Sequence, residues 1–145
     1  MAYIIEKIRR DFDVDVCQSY GGVMSQLIDT LNRIATGLND DAALVRRGRF
    51  IDLDFLLGIN AETHYLKITA GRLSSVVPGP VLMRPWEFAI HIDGKAWNEF
   101  RQPIPKPNYH DIFAMCKQGT ARIEGNIQPF MANLRYFKEL LAHGR

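Results

Sequence analysis

The stretch Ile51-Asp52-Leu53-Asp54-Phe55-Leu56-Leu57-Gly58-Ile59-Asn60-Ala61-Glu62-Thr63-His64-Tyr65-Leu66-Lys67-Ile68-Thr69-Ala70-Gly71 decides the fold class. Ile51, Leu53, Phe55, Leu57 and Ile59 share one parity, and Asp52 and Asp54 take the other. Successive side chains of a strand point to opposite faces, so residues 49–59 read as a half-buried strand. Gly58-Ile59-Asn60-Ala61 turns the chain. Residues 63–69 alternate again, with His64, Leu66 and Ile68 opposite Tyr65 and Lys67. Ala70-Gly71 is a tight-turn signal, residues 72–77 form a third strand, and Pro78-Gly79-Pro80 ends it. Three strands joined by short turns make antiparallel hairpins rather than a doubly wound sheet.

Upstream, the period is helical. Val23, Leu27, Leu31, Ile34 and Leu38 recur every three to four residues, which predicts a helix over 22–38 with one apolar face. Asn39-Asp40-Asp41 stops it and caps a short following turn. Residues 3–10 read as a further short helix. Arg46, Arg47 and Arg49 read as a solvated strand entry; the sharper alternative is a contact for anionic lipid head groups, worth about 1 kcal/mol per basic residue.

Downstream, Trp86, Phe88, Ile90 and Ile92 alternate with Glu87, Ala89, His91 and Asp93 as a fourth strand. Asp93 is placed to cap a short helix holding Ala96, Trp97 and Phe100. Pro103, Pro105 and Pro107 enforce an extended connector. Asn108 is the expected N-cap of a helix over 109–117, ended by Gly119, and 120–124 is a fifth strand. A terminal helix then starts at Asn126, tolerates Pro129 in its first turn, and aligns Ile127, Phe130, Met131, Leu134, Phe137 and Leu141 on one face. Lys138 interrupts that face and is expected to reach water along its stem. The order predicts an α+β domain: a five-stranded, mostly antiparallel sheet covered on one face by helices, with a long C-terminal helix.

Composition narrows the function. A chain of 145 residues suits one domain, and 47% hydrophobic with 23% charged residues is ordinary for a globular protein. A net charge of +2 is too small for a nucleic-acid footprint, so no nucleic-acid partner is expected. Cys17 and Cys116 form no metal-finger or redox spacing and read as free thiols in a reducing compartment. With neither a signal-peptide core nor an apolar run of membrane-spanning length, a cytoplasmic protein is expected.

Catalytic signatures are missing. No phosphate loop, nucleophile elbow or metal-binding histidine spacing occurs, so no cofactor, metal or catalytic residue is expected. Glu87, His91 and Asp93 share one strand face and admit an acid–base reading, which would make the chain a small enzyme. Strand alternation favours a plain water-facing row instead. Likewise, His110-Asp111 reads as helix-end stabilisation, and Cys116 beside Phe113 as a buried structural thiol. What stands out is bulky apolar side chain in the last forty residues, from Ile112, Phe113 and Met115 to Phe130, Met131, Leu134, Phe137, Leu140 and Leu141. Periodicity alone favours core packing there; a pocket for varied apolar shapes is the functional alternative.

Residues 52–141 resemble the sterol carrier protein type two family, the sterol-binding or lipid-transfer domains. The resemblance rests on Ile51-Asp52-Leu53-Asp54-Phe55, on Tyr65-Leu66-Lys67-Ile68-Thr69-Ala70-Gly71, and on Phe88-Ala89-Ile90-His91-Ile92-Asp93-Gly94-Lys95-Ala96-Trp97. Its most telling piece is Gly119-Thr120-Ala121-Arg122-Ile123-Glu124-Gly125-Asn126, after the Ala114-Met115 helix. It implies a hydrophobic tunnel between sheet and helices and noncatalytic carriage of a lipid, fatty acyl chain, sterol or other hydrophobic molecule. The expected pocket wall is Phe88, Ile112, Phe113, Met115, Phe130, Met131, Leu134, Phe137 and Leu141. Residues 1–47 are then a helical extension of a single domain whose sterol-carrier-like part is 48–145. The first fifty residues, the 78–84 stretch and the 103–107 connector depart from the family pattern. An accessory domain docked on a partner enzyme is the alternative function, and transient membrane-surface contact and a homodimer stay open as further associations.

Overall fold

The computed structural model describes residues 26–80 and 82–145. The helix expected over 3–10, the expected helix start at Gly22 and Cys17 lie outside them. Helix α1 occupies residues 26–40, and Leu27, Leu31, Ile34 and Leu38 all enter the core, each contributing about 1.5–3 kcal/mol over exposure. Asn39 ties the helix end to the sheet: its Nδ2 donates to the Leu73 carbonyl at 3.1 Å, and the Leu73 N–H donates to its Oδ1 at 3.0 Å. Asp41 caps α2 (Ala42–Arg47) by accepting from the Ala43 and Leu44 N–H groups. Arg46 and Arg47 thus end a helix rather than open a strand, where cations oppose the helix dipole favourably.

The strands are β1 (Leu53–Ile59), β2 (Glu62–Thr69), β3 (Arg72–Pro78), β4 (Phe88–Ile92) and β5 (Ala121–Gly125). Their spatial order is β3-β2-β1-β4-β5, with β1 and β4 parallel and the other neighbours antiparallel. The β2–β3 turn has φ of +50° at Ala70 and +77° at Gly71, the two left-handed residues of the hairpin turn matching strand twist. Gly71 is required there twice over, because a Cβ would also lie 2.5 Å from the Val45 carbonyl oxygen.

One sheet face presents Phe55, Leu57, Leu66, Ile68, Phe88, Ile90 and Ile92 to the helices. The other face holds a small second cluster of Leu56, Tyr65 and Ala89, which are direct register partners. Arg84 stands 5.3 Å above the Tyr65 ring and pairs with Asp54 at 3.5 Å. Leu56 breaks the polar parity of β1 opposite the core.

The remaining helices are α3 (Gly94–Phe100), α4 (Ile112–Gln118), α5 (Gln128–Ala132) and α6 (Leu134–Ala142). Asp93 takes the N-cap position of α3 without a side-chain bond; Asn60 Oδ1 instead accepts from the Gly94 N–H at 2.8 Å. Helix α4 starts three residues later than expected, because Asn108 adopts φ of +73° and Asp111 becomes the N-cap residue. Gly119 closes it at φ +81°. The C-terminal helical segment divides at Asn133, whose φ of −118° and ψ of 31° leave the helical region. That break changes the angular register: Ile127 and Met131 stay 49% and 50% exposed, while Tyr136 turns into the core. The Tyr136 hydroxyl donates to the Gly71 carbonyl at 2.8 Å, and burial pushes its ionisation upward.

Candidate functional site

Phe88, at the start of β4, is the centre of an aromatic cluster. It stacks on Phe55 at 5.2 Å and meets Phe130 and Phe137 edge-on at 5.4 and 5.2 Å. Phe113 on α4 joins through Phe130 at 6.1 Å. Phe88, Phe130 and Phe137 are fully buried, with Met115 beside them in the same core. Edge-to-face geometry adds about 0.5–1.5 kcal/mol per pair beyond burial. Of the nine residues expected to wall a pocket, these five pack together, Leu134 lies half-buried against the same core, and Met131 turns outward. Ile112 and Leu141 are buried in the same core and also border an open cleft.

Space opens on both sides of α3. The larger cleft, about 610 Å³, lies among α1, the β1–β2 turn and α3, and is lined by Leu27, Ile59 and Trp97 with Gln26, Thr30, Asn60, Glu62 and Asn98. The smaller, about 360 Å³, lies among α3, α4 and α6, where Phe100, Ile112, Leu141 and Ala142 make its apolar part. Trp97 borders the first and Phe100 the second, and their rings stack at 5.9 Å, so this pair forms the partition. Arg101, at the end of α3, holds the α6 terminus by donating to the Leu141 and His143 carbonyls at 3.0 and 2.7 Å.

Glu62, at the edge of the larger cleft, shares a strand face with a buried histidine. Glu62 pairs across the sheet with Ile59, and His64 with Leu57, so both side chains share the helix-covered face. His64 is 1% exposed. Among the described residues neither of its ring nitrogens has a hydrogen-bond partner, nor has Glu62 Oε2, and all three atoms are buried. Each such orphan costs about 1–3 kcal/mol, and native structures hold few of them. Burial pushes the His64 ionisation below its usual range, which keeps the ring neutral. His64 had been placed on the apolar parity of β2; Glu62 was missed, although its position opposite Ile59 follows from the two-residue turn.

The acid–base reading of β4 finds no assembled site. Glu87 Oε2 accepts from Asn126 at 3.2 Å, His91 Nε2 meets Glu124 Oε1 at 2.9 Å, and Asp93 sits at the start of α3. Among the described residues no cluster has the composition of a metal site. Cys116 is half-buried, and burial first and Asp111 second push its thiol ionisation upward. Lys138 ends on Asp111 at 2.9 Å with its ammonium 5.2 Å from the Phe113 ring centre, and its side chain keeps 37% of its surface exposed. No helix among the described residues is long and apolar enough to cross a membrane.

This sheet order and helix placement recur in solved structures. A sterol carrier protein 2 crystal structure superposes with a TM-score of 0.56 at 12% identity, over 78% of this chain and 93% of that one. The chain has the sterol carrier protein 2 fold. Sterol carrier protein 2 from Yarrowia lipolytica, in its apo form, gives a TM-score of 0.52 at 12% identity, over 79% of this chain and 91% of that one. A ubiquinone synthesis protein, UbiJ-SCP2, gives 0.54 at 14% identity, over 84% of this chain and 96% of that one. No family model and no curated protein matches the sequence. At 12–14% identity, what this chain shares with these structures is the fold.

Proposed function

We propose that this protein is a noncatalytic carrier that binds an apolar ligand on the helix-covered side of its sheet. The observation that carries this reading is the pair of clefts flanking the Trp97–Phe100 partition, within a sterol carrier protein 2 fold. Trp97, Leu27 and Ile59 contact the ligand body in the larger cleft, and Ile112 and Leu141 extend the apolar wall in the smaller one. Phe88, Phe113, Met115, Phe130, Leu134 and Phe137 back that wall, and Met131 belongs to its outer rim. A buried acyl chain contributes about 0.8 kcal/mol per methylene, enough to retain a lipid through such contacts.

The chain has two tryptophans, so Trp86→Phe leaves Trp97 as the sole indole reporter. A fluorescent acyl probe is expected to bind one-to-one, shift Trp97 emission, and be displaced by unlabelled lipid. Native mass spectrometry of freshly purified protein is expected to show a retained lipid. Absence of binding across acyl, sterol and aromatic probes would overturn the reading.

A second reading is supported by the likeness to the UbiJ-SCP2 ubiquinone synthesis protein. In it, the domain presents or shields an apolar substrate for a partner enzyme. Recovery of one stoichiometric partner from native extract favours this version; a protein that transfers lipid between vesicles unaided favours the simple carrier.

A further inference from the structure

The larger cleft is a poor match for a plain hydrocarbon. Opposite Leu27, Ile59 and Trp97 its wall is polar, made by Gln26, Thr30, Asn60, Glu62 and Asn98. Glu62 is the sole charged side chain among the described residues that line it, and no Lys or Arg stands with it there. Among the described residues Glu62 has no ion pair, and neither carboxyl oxygen takes a hydrogen bond. Its Oε2 is buried, so Oε1 is the oxygen left on the open side. A carboxylate drawn away from water without a cation is costly to hold. Its neighbours offer acceptors rather than relief. The Thr30 hydroxyl donates to the Gln26 carbonyl at 2.9 Å, which leaves only its lone pairs for a further partner. Asn60 Oδ1 accepts from the Gly94 N–H at 2.8 Å and keeps one lone pair.

We infer that the larger cleft takes an amphiphile with a cationic ammonium headgroup, an inference that rests on the carrier reading above. An ammonium carries three donors, no acceptor and a positive charge, the complement of one carboxylate among committed acceptors. It pairs with Glu62 Oε1 through a charge-assisted hydrogen bond and turns its remaining N–H groups to the Thr30 and Asn60 oxygens. An alcohol supplies one donor and no charge. A carboxylate headgroup brings a like charge and no donor at all. The apolar tail then runs along Leu27, Ile59 and Trp97.

The test measures displacement of a neutral fluorescent apolar probe from the full chain by decylammonium, 1-decanol and decanoate, each kept below the concentration at which it self-associates. Charge-assisted hydrogen bonds are about twice as strong as neutral ones, so the ammonium is expected to bind about tenfold more tightly than the alcohol, with the carboxylate weakest. In the Trp86→Phe protein, decylammonium should shift Trp97 emission, which reports binding at the larger cleft rather than the smaller. Glu62→Gln keeps the size and hydrogen-bonding capacity of the side chain and removes its charge, so the advantage of ammonium over alcohol should fall to within about twofold. A Glu62 with a structural role alone would move Tm in this variant and leave the order of the three ligands as it was. An ammonium preference that survives Glu62→Gln, or equal binding of ammonium and alcohol to the native protein, overturns the inference and leaves the carrier reading standing. If no apolar probe binds at all, both fall together.

Discussion

The two ends of the helix-covered face are built on opposite principles. At one end, Phe55, Phe88, Phe130 and Phe137 pack ring against ring, each meeting at least two others within 6 Å. At the other, Leu27, Ile59 and Trp97 surround open volume, and the buried polar atoms of Glu62 and His64 lack partners. The first arrangement is what maximises dispersion and burial; the second keeps Leu27, Ile59 and Trp97 buried but sets unpaired polar atoms near open volume. Both lie on one side of one sheet, so the difference comes from side-chain choice rather than topology. Stability is concentrated where the rings meet, and the proposed carrier function places the ligand where they do not.

The largest effect is expected from emptying the filled end. Phe88→Ala removes the ring on which the cluster converges and should cost about 3–5 kcal/mol, read as a lower urea midpoint with unchanged slope. A loss under about 1 kcal/mol would mean the cluster collapses freely, and the contrast between the two ends would be wrong. A smaller loss is expected outside both regions, where the sheet is fastened to its covering helices. Gly71→Ala forces a left-handed alanine against the Val45 carbonyl and disturbs the acceptor of the Tyr136 hydroxyl. It should cost about 3 kcal/mol in the same denaturation assay and leave probe affinity unchanged, since none of these residues borders the larger cleft.

What could be read beforehand follows the same division. Strand faces were legible because parity is local: Phe55, Leu57, Leu66 and Ile68 each announce their side through their neighbours two residues away. The left-handed Gly119 and the cap at Asp41 were legible for the same reason. The terminal helix was legible as helix and as apolar, but its inward face was not. The break at Asn133 depends on how α5 and α6 dock on the sheet, and it exchanges Met131 for Tyr136. Similarly, the start of α4 moved from Asn108 to Asp111, which is held by Lys138 from α6, a partner 27 residues away. The wall residues were chosen by size and period, which describe a filled core and a lined cavity equally well. A void is a property of packing among α1, β1–β2 and α3, and its one local sign was a charged residue, Glu62, on a buried parity.

The smallest effect is expected from the open end, and it has a defined sign. His64 is held neutral by burial, its ionisation lying below the ordinary value of 6.5. The unfolded chain therefore binds a proton that the folded chain refuses once pH drops below about 6.5. Stability is level with respect to this residue above that pH and declines as pH falls toward the folded-state value, because protons then favour the unfolded chain. Each unit of difference between the two states corresponds to about 1.4 kcal/mol at the acid limit. His64→Leu removes this linkage, so the urea midpoints of native protein and variant should diverge progressively as pH is lowered from neutrality. Parallel stability curves for the native protein and the variant through this range would show that the His64 ring accepts a proton in place, and that its surroundings are wetter than its lack of partners implies.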